Sequence, residues 1–189
     1  IQQELISEIS PEELITIISD LELDEIVDIL QVLPEQKIEN ILSAMSQRDR
    51  QRIEEVLEYP EDTAGGLMNT DIISVRPKHS LEVVMRYLRA QRELPKNTDQ
   101  IFVVSRENKY LGSLPISRIL VSDPSLNVRE LMETEIQPLA ANLDDKDVSR
   151  LFEKNDWVSA PVIDDKSRLI GRITIDDVVD VIMEDADQN

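Results

Sequence analysis

The sequence predicts a mixed α+β fold, in which an all-helical repeat domain precedes two small β-α-β units. Three observations support this prediction. The first 59 residues contain no glycine and carry a helical pattern of apolar residues. Two adjacent glycines, Gly65 and Gly66, then interrupt that pattern. From Leu67 onward, apolar strand-like runs alternate with amphipathic helical stretches, and the same order occurs twice.

The composition excludes several classes of function. The chain has 189 residues, of which 39 are acidic and 20 basic, giving a formal net charge of -19. This charge disfavours binding to nucleic acid or to anionic membrane surfaces. The absence of cysteine and the presence of a single histidine remove thiolate chemistry, Ser-His triads and Cys/His zinc sites. We therefore predict that the chain is not an enzyme, and that any bound metal ion is held by oxygen, as Mg2+, Ca2+ and Mn2+ are.

Residues 1–59 are predicted to form an acidic helical-repeat domain. Isoleucine recurs every 12 residues, a period that fits one short helix and a turn. Helix-start patterns occur at residues 10–13, 33–35 and 46–47. Because the chain begins at Ile1 and the first repeat looks truncated, we expect missing N-terminal sequence. The repeated apolar positions are Ile17, Ile29, Ile41 and Ile53, followed by Leu21, Leu33, Met45 and Leu57.

The segment 60–66 is predicted to be a linker. Pro60 and the glycine pair break the helical pattern. A glycine-rich phosphate loop is the alternative, but no Lys-Ser/Thr pair follows.

The first β-α-β unit is predicted over residues 67–122. It comprises a strand at 72–75, a helix at 81–91 capped by Ser80, a buried strand at 101–104, a strand at 110–114 and a helix at 116–121. The apolar stripe of the first helix is Leu81, Val84, Met85 and Leu88.

The second unit, 131–186, repeats this order. Strands are predicted at 136–140, 160–163 and 169–174, with a helix from Asp144 or Asp145 to Glu153 and a closing helix at 175–184. Met68 and Gly112 are 44 positions apart, whereas Met132 and Gly171 are 39 apart. We assign the surplus to a surface loop at 92–100, where insertions are tolerated.

The closing helix carries carboxylates on one face. Asp177, Asp180 and Glu184 are spaced i, i+3 and i+7 and repel one another. Val178, Val179 and Ile182 are predicted to form its packing face. Acidic residues in the last turn oppose the helix dipole, so we expect either a bound cation there or a helix that continues.

The tandem units resemble a pair of CBS domains. The resemblance rests on the Leu-Met lead-ins at 67–68 and 131–132, the apolar strand before a polar turn, and the strand-end Gly112 and Gly171. Together with the acidic helical repeat and the segment 59–68, the chain resembles the cytosolic region of the MgtE family of magnesium channels. The resemblance implies a Mg2+ sensor that dimerises through its CBS domains at the cytoplasmic face of the cell membrane and precedes a transmembrane pore.

The resemblance also implies metal ligands, namely Asp156, Asp177, Asp180 and Asp185, with Glu153 offering a backbone carbonyl. Lys146 stands where the family has an acidic residue, so one family site is expected to be weaker or absent. In the helical domain the densest acidic run is Glu22, Asp24, Glu25 and Asp28. Asp144-Asp145 and Asp164-Asp165 are interpreted as a helix cap and a turn.

A second hypothesis is an adenine-nucleotide-binding regulatory module with ATP or a related ligand. CBS pairs often carry Thr-x-x-Asp at the end of the last strand, and Thr174 and Asp177 fit this pattern, with the hydroxyl for phosphate and the carboxylate for ribose. The first repeat has Pro115 and Arg118 there, which do not fit. Trp157 either stacks on the base or is a core aromatic residue.

A third hypothesis is an inert dimerisation scaffold. His79 is interpreted as a surface residue.

Overall fold

The chain divides into two compact units, Ile1–Pro60 and Glu61–Asn189. The structure is a computed structural model that describes 33–47 and 59–187 continuously. Among the described residues, none of the helices combines the length and the apolar character that crossing a bilayer requires. The other described residues are Ser10, Glu13, Thr16, Glu25, Ile26, Ile29, Leu30, Arg50, Gln51, Ile53 and Glu54.

The first unit is helical where it is described, as predicted. Helix α1 spans Glu35–Ala44 and begins directly after Pro34. Two of the repeated isoleucines, Ile41 and Ile53, are each 1% exposed, which agrees with a buried stripe that recurs every 12 residues. Three predicted repeat positions, Ile17, Leu21 and Leu57, lie outside the described residues.

A predicted helix start in the first unit has the hydrogen bonds of a capping box. The Ser10 N–H donates to the Glu13 carboxylate, and the Glu13 N–H donates to the Ser10 hydroxyl, both at 3.3 Å.

The second unit contains two equivalent halves, each built on a three-stranded sheet. In each sheet a short first strand runs parallel to the central strand, which pairs antiparallel with the third. The strands are β1 Ser74–Val75, β2 Gln100–Val104 and β3 Tyr110–Pro115, then β4 Leu139–Ala140, β5 Ser159–Ile163 and β6 Leu169–Thr174. The helices are α2 Ala64–Leu67, α3 Leu81–Ala90, α4 Ile116–Val121, α5 Val128–Leu131, α6 Asp145–Asn155 and α7 Ile175–Asp187.

The predicted order of the strands and longer helices is confirmed, but two strands are shorter than expected, and the short helices α2 and α5 were not predicted. The strands predicted at 72–75 and 136–140 contain two residues each, because only two positions of each pair with the central strand. Ser80 caps α3 by accepting from the Val83 N–H at 3.3 Å. The predicted stripe of α3 packs on the first sheet, with Leu81 and Val84 buried.

Each half donates its lead-in segment to the sheet of the other half. Asn69, at the start of the first half, exchanges backbone hydrogen bonds of 2.7 and 2.8 Å with Arg172 of β6. Glu133, at the start of the second half, exchanges bonds of 2.9 and 2.7 Å with Ser113 of β3. The two halves are therefore one folded module rather than two independent ones.

The strand-end glycines, Gly112 in β3 and Gly171 in β6, lie where the lead-in of the opposite half passes against the strand. A Cβ on Gly112 would lie 2.5 Å from the Glu133 carbonyl oxygen, and a Cβ on Gly171 would lie 2.8 Å from the Asn69 carbonyl oxygen. Only glycine leaves room for the backbone at these positions.

The segment predicted as a linker, 60–66, is mostly part of the second unit. Ala64 and Gly65 form the start of α2, and their N–H groups donate to the carbonyls of Leu143 and Ala141 at 2.8 Å. The Thr63 hydroxyl caps this short helix by accepting from the Gly66 N–H. The glycine pair breaks the amphipathic pattern, but Gly65 bonds the second half and Gly66 bonds the cap residue Thr63.

The closing helix α7 extends to Asp187, three residues beyond the predicted end. Its buried residues are Val178 and Val181, whereas Val179 is 43% exposed. The predicted packing face was therefore wrong at Val179. Successive helical residues are about 100° apart, so Val179 turns away from the face that Val178 and Val181 share.

The two acidic pairs interpreted as structural have structural contacts. Asp144 caps α6 by accepting from the Lys146 N–H at 2.9 Å. The Asp164 carboxylate accepts from the N–H groups of Lys166 and Arg168 and from the Arg168 side chain. Burial acts to raise the pKa of Asp164, but these donors hold it below its ordinary value.

Candidate functional site

The structure brings Thr174 and Asp177 together at the junction of β6 and α7. The Thr174 hydroxyl lies 3.0 Å from Asp177 Oδ2, and the Thr174 N–H donates to the same oxygen at 3.4 Å. Ser159 pairs with Thr174 across the sheet, and Trp157 lies two residues before Ser159. The three residues predicted for a nucleotide, Thr174, Asp177 and Trp157, thus belong to the same end of the second sheet.

Asp176 is part of this junction, although the sequence reasoning did not include it. The Thr174 hydroxyl also contacts the Asp176 carboxylate. Because a hydroxyl carries a single proton, it can donate to only one of the two carboxylates at a time. The Asn97 side-chain amide donates to Asp176 at 3.1 Å, so a residue of the first half also reaches the junction.

Arg172 is a second residue that the sequence reasoning missed. It is 4% exposed and donates to the carbonyl oxygen of Asn97 at 3.0 Å and to that of Lys96. Its Nε is buried without a hydrogen-bond partner among the described residues. Burial lowers the pKa of the Arg172 guanidinium, and nearby carboxylates act in the opposite direction. These carboxylates belong to Asp99, Asp177, Asp176 and Asp71.

The loop at 92–100 is mostly exposed on the surface, as predicted, and it also makes polar contacts with the second half. Besides the contacts of Asn97 and Lys96, the Asp99 carboxylate accepts from the Ser159 hydroxyl at 2.6 Å. The Gln100 amide donates to the backbone carbonyl and the hydroxyl of Ser159 at 3.2 and 3.1 Å. The extra residues of the first repeat therefore contribute to the contact between the halves.

The equivalent junction of the first half has different chemistry. Arg118 donates to the Leu131 carbonyl at 3.0 Å and pairs with the Glu133 carboxylate at 3.1 Å. Pro115 caps α4 without a side-chain hydrogen bond. This position holds a cation in an ion pair where the second half has Asp177, which agrees with the expectation that the first half lacks the Thr-x-x-Asp chemistry.

Two of the predicted metal ligands lie at the C-terminal end of α6. Asp156 follows the helix in a left-handed conformation, with φ 52°, and its N–H donates to the Phe152 carbonyl. Its side chain and that of Glu153 are exposed. An acidic group at the C-terminal end of a helix opposes the helix dipole, so this position favours a cation. Trp157 is half-buried and packs edge-on against Phe152, with ring centroids 5.5 Å apart.

The acidic residues of α7 divide into two groups. Asp177 and Asp180 lie in the first turns, whereas Asp185 lies near the end and pairs with Lys146 at 3.7 Å. Eight residues of helix separate Asp177 from Asp185 by about 12 Å, too far for one ion. Lys146 thus partly neutralises Asp185.

The predicted metal ligands do not converge on one point within this chain. Across the described residues, no group of three or more acidic or histidine side chains is placed to hold a metal ion. In the densest acidic run of the helical domain, Glu25 is exposed, and Glu22, Asp24 and Asp28 lie outside the described residues. The metal-ligand set therefore stays a prediction.

The paired sheets, the exchanged lead-ins and the Thr174–Asp177 junction define a tandem CBS module. The CBS domain family matches residues 64–123 and 128–184, and the family described as MgtE intracellular N domain matches residues 1–62. The chain therefore belongs to the MgtE family, as the resemblance predicted.

Relatives of known structure and sequence agree with this assignment. The chain is 32% identical to the magnesium transporter MgtE of Thermus thermophilus over 145 residues, which are 77% of this chain and 32% of that protein. It resembles the soluble part of a magnesium transporter with a TM-score of 0.89 at 25% identity, covering 97% of this chain and 72% of that one. It also resembles the cytosolic domain of the Mg2+ channel MgtE in complex with ATP, with a TM-score of 0.82 at 30% identity, covering 95% and 78%.

The chain spans about a third of the length of the curated relatives it matches, between 30% and 33%. These relatives are transporters rather than enzymes, which agrees with the prediction that the chain is not an enzyme.

Proposed function

We propose that this chain is the Mg2+-sensing regulatory region of a magnesium transporter, at the cytoplasmic face of the cell membrane. Membership of the MgtE family supports this, as does the similarity to a domain described as the cytosolic part of a Mg2+ channel. In this proposal a transmembrane pore domain of the same protein responds to the state of the chain.

The observation that carries the proposal is the exposed carboxylate of Asp156 at the negative end of α6. The side chains of Asp156, Glu153 and Asp180 make no hydrogen bond or ion pair within the described part of the chain. Mg2+ is usually held through one or two carboxylates and keeps several waters. The Asp156 carboxylate fits such a site as one ligand. Further ligands would come from the helical domain or from a second copy.

The proposed mechanism is relief of repulsion. Two carboxylates about 6 Å apart repel by about 3 kcal/mol at an effective dielectric constant of about 20. Shifting a two-state equilibrium from roughly 1:99 to 99:1 requires about 5.5 kcal/mol. Two or three such pairs between the helical domain, the CBS pair and the dimer partner therefore suffice. Mg2+ bridges these carboxylates and favours the compact state, in which the pore is closed.

A homodimer through the CBS domains is part of this proposal. Large apolar side chains are exposed on two helices of the module, which supports an interface with a second copy. Leu120 and Val121 of α4 are 67% and 85% exposed, and Met183 of α7 is 63% exposed.

The Asp156→Asn substitution tests the cation proposal. Asparagine tolerates the left-handed backbone and removes the charge that opposes the helix dipole, so without Mg2+ the variant gains about 0.3–1 kcal/mol of stability. With Mg2+ the wild-type chain gains stability by mass action, whereas the variant gains less. Thermal unfolding across a Mg2+ titration measures both effects.

The matched control is Asp165→Asn, which neutralises an exposed carboxylate in the turn after β5 and leaves the Mg2+ response unchanged. An equal Mg2+ response in wild type, Asp156→Asn and Asp165→Asn would contradict the proposed role of Asp156.

A second candidate function is binding of an adenine nucleotide at the second half. The contact between Thr174 and Asp177 favours it, and a relative at 30% identity has been solved in complex with ATP. Trp157 is the single tryptophan of the chain, so its fluorescence reports on this end of the sheet. Titration with ATP is expected to change that fluorescence saturably, and a flat titration would count against nucleotide binding. The ion and the nucleotide compete for Asp177.

A further inference from the structure

The loop between α3 and β2 crosses to the second half and ends beside the Thr174 junction. We call residues 92–99 the strap. The first repeat is five residues longer than the second between the lead-in methionine and the strand-end glycine, and the strap contains this surplus. No property of the first half requires it, because the second half builds the same sheet without it.

Polar contacts, more than buried apolar surface, hold the strap in place. Most of its side chains are exposed, including Leu94 at 37%. Three kinds of contact attach the strap to the second half. The Lys96 and Asn97 carbonyl oxygens accept from Arg172, the Asn97 amide donates to Asp176, and the Asp99 carboxylate accepts from Ser159. A segment held in this way opens at low free-energy cost compared with a segment anchored in the core.

The groups beneath the strap are those that recognise phosphate. Arg172 and Thr174 are two residues apart in β6, so their side chains lie on the same face of the sheet. Directly after them begins α7, whose 13 residues place a positive dipole end at the junction. Arginine guanidinium groups bind phosphate through paired N–H donors. In this structure, the carbonyls of Lys96 and Asn97 accept from two of these donors, and Nε has no partner within the described residues.

We propose that Arg172 is a phosphate-binding residue of the second half, and that the strap leaves Arg172 when a nucleotide phosphate replaces the Lys96 and Asn97 carbonyls. This inference rests on the proposed nucleotide-binding function. The four carboxylates around Arg172 outnumber its single positive charge. The ligand class is therefore a nucleotide that carries a divalent cation with its phosphates, because the cation offsets this excess negative charge.

The Asn97→Gly substitution tests the strap. Asn97 has a left-handed φ of 57°, which glycine adopts without strain, and the substitution removes the hydrogen bond to Asp176. The loosened strap competes less with the ligand, so Asn97→Gly is expected to bind ATP with Mg2+ about fivefold more tightly than wild type. The matched control is Asn108→Gly. Asn108 also has a left-handed backbone, but it lies outside the strap, and its amide donates to the Leu169 carbonyl.

Trypsin cleavage gives an independent readout of strap release. Lys96 lies in the strap and Arg106 lies in the exposed β2–β3 turn. ATP with Mg2+ is expected to accelerate cleavage after Lys96 relative to cleavage after Arg106.

Arg172→Lys, which keeps the charge but loses the paired donors, is expected to weaken ATP binding at least tenfold. If Arg172→Lys does not fold, the ATP affinity of Asn97→Gly and the cleavage ratio still test whether the strap is released.

The outcomes separate this inference from the function on which it rests. Saturable ATP binding with an unchanged cleavage ratio and equal affinity in Asn97→Gly would overturn the strap while leaving nucleotide binding intact. No ATP binding in either wild type or Asn97→Gly would overturn both.

Discussion

Replacing Gly112 by alanine is expected to lower the free energy of unfolding of the second unit by about 1–3 kcal/mol. The new Cβ would lie 2.5 Å from the carbonyl oxygen of Glu133. That oxygen accepts the Ser113 N–H at 2.9 Å, so the lead-in of the second half cannot retreat without breaking its pairing with β3. Chemical denaturation followed by circular dichroism measures the change.

Two further variants make the test specific. Gly171→Ala is expected to cost less, because one of its close contacts is the side-chain sulfur of Met68, which can move. Ser117→Ala, on the exposed side of α4, is expected to leave stability nearly unchanged. If Gly112→Ala were as stable as Ser117→Ala, the proposed reason for the strand-end glycines would be wrong.

Replacing Arg172 by methionine is expected to destabilise the second unit by about 3–5 kcal/mol. Methionine fills a similar volume but leaves the Lys96 and Asn97 carbonyls without their donor. It also leaves neighbouring carboxylates, such as Asp99 and Asp177, without the positive charge between them. Denaturant unfolding measures the loss, and raising ionic strength is expected to recover part of it by screening that repulsion.

The control for Arg172→Met is the same substitution at an exposed arginine. Arg86 pairs with Glu82 on the surface of α3, and its side chain is 71% exposed. Arg86→Met is expected to change stability by less than about 1 kcal/mol. Equal effects at the two positions would contradict the role assigned to Arg172.

Local patterns predicted the elements of the fold well. The apolar run of β2, the cap at Ser80 and the stripe led by Leu81 and Val84 each depend on neighbouring residues, and each is present. The tandem itself followed from the repeated order of elements. The exchange of lead-ins between halves could not be predicted, because it pairs residues such as Asn69 and Arg172 that are far apart in the sequence.

The same distinction explains two segments whose backbone contacts could not be predicted. Residues 60–66 contain a glycine pair, and residues 92–100 are mostly polar with one proline; both compositions are typical of connections. Composition reports that a segment is not a regular core element, but not whether its backbone finds partners elsewhere. Ala64 bonds Leu143 and Lys96 bonds Arg172, and both contacts depend on the finished fold.

The candidate site was predictable only where it is local. Thr174 and Asp177 are three residues apart, and the turn into α7 brings them together. In the sequence, Arg172 is one charged residue in a mainly apolar strand. No neighbouring residue indicates that its side chain contacts the strap. The acidic residues of α7 were read correctly as helical, but the length of the helix separates Asp185 from Asp177.

Small-angle X-ray scattering of the chain with and without Mg2+ shows whether this chain responds to Mg2+ as a sensor. We expect a smaller radius of gyration with Mg2+, because the ion relieves repulsion between acidic surfaces, and a reduced response in Asp156→Asn. An identical radius of gyration with and without Mg2+, in a chain that remains folded in both conditions, would contradict the proposed Mg2+ sensing.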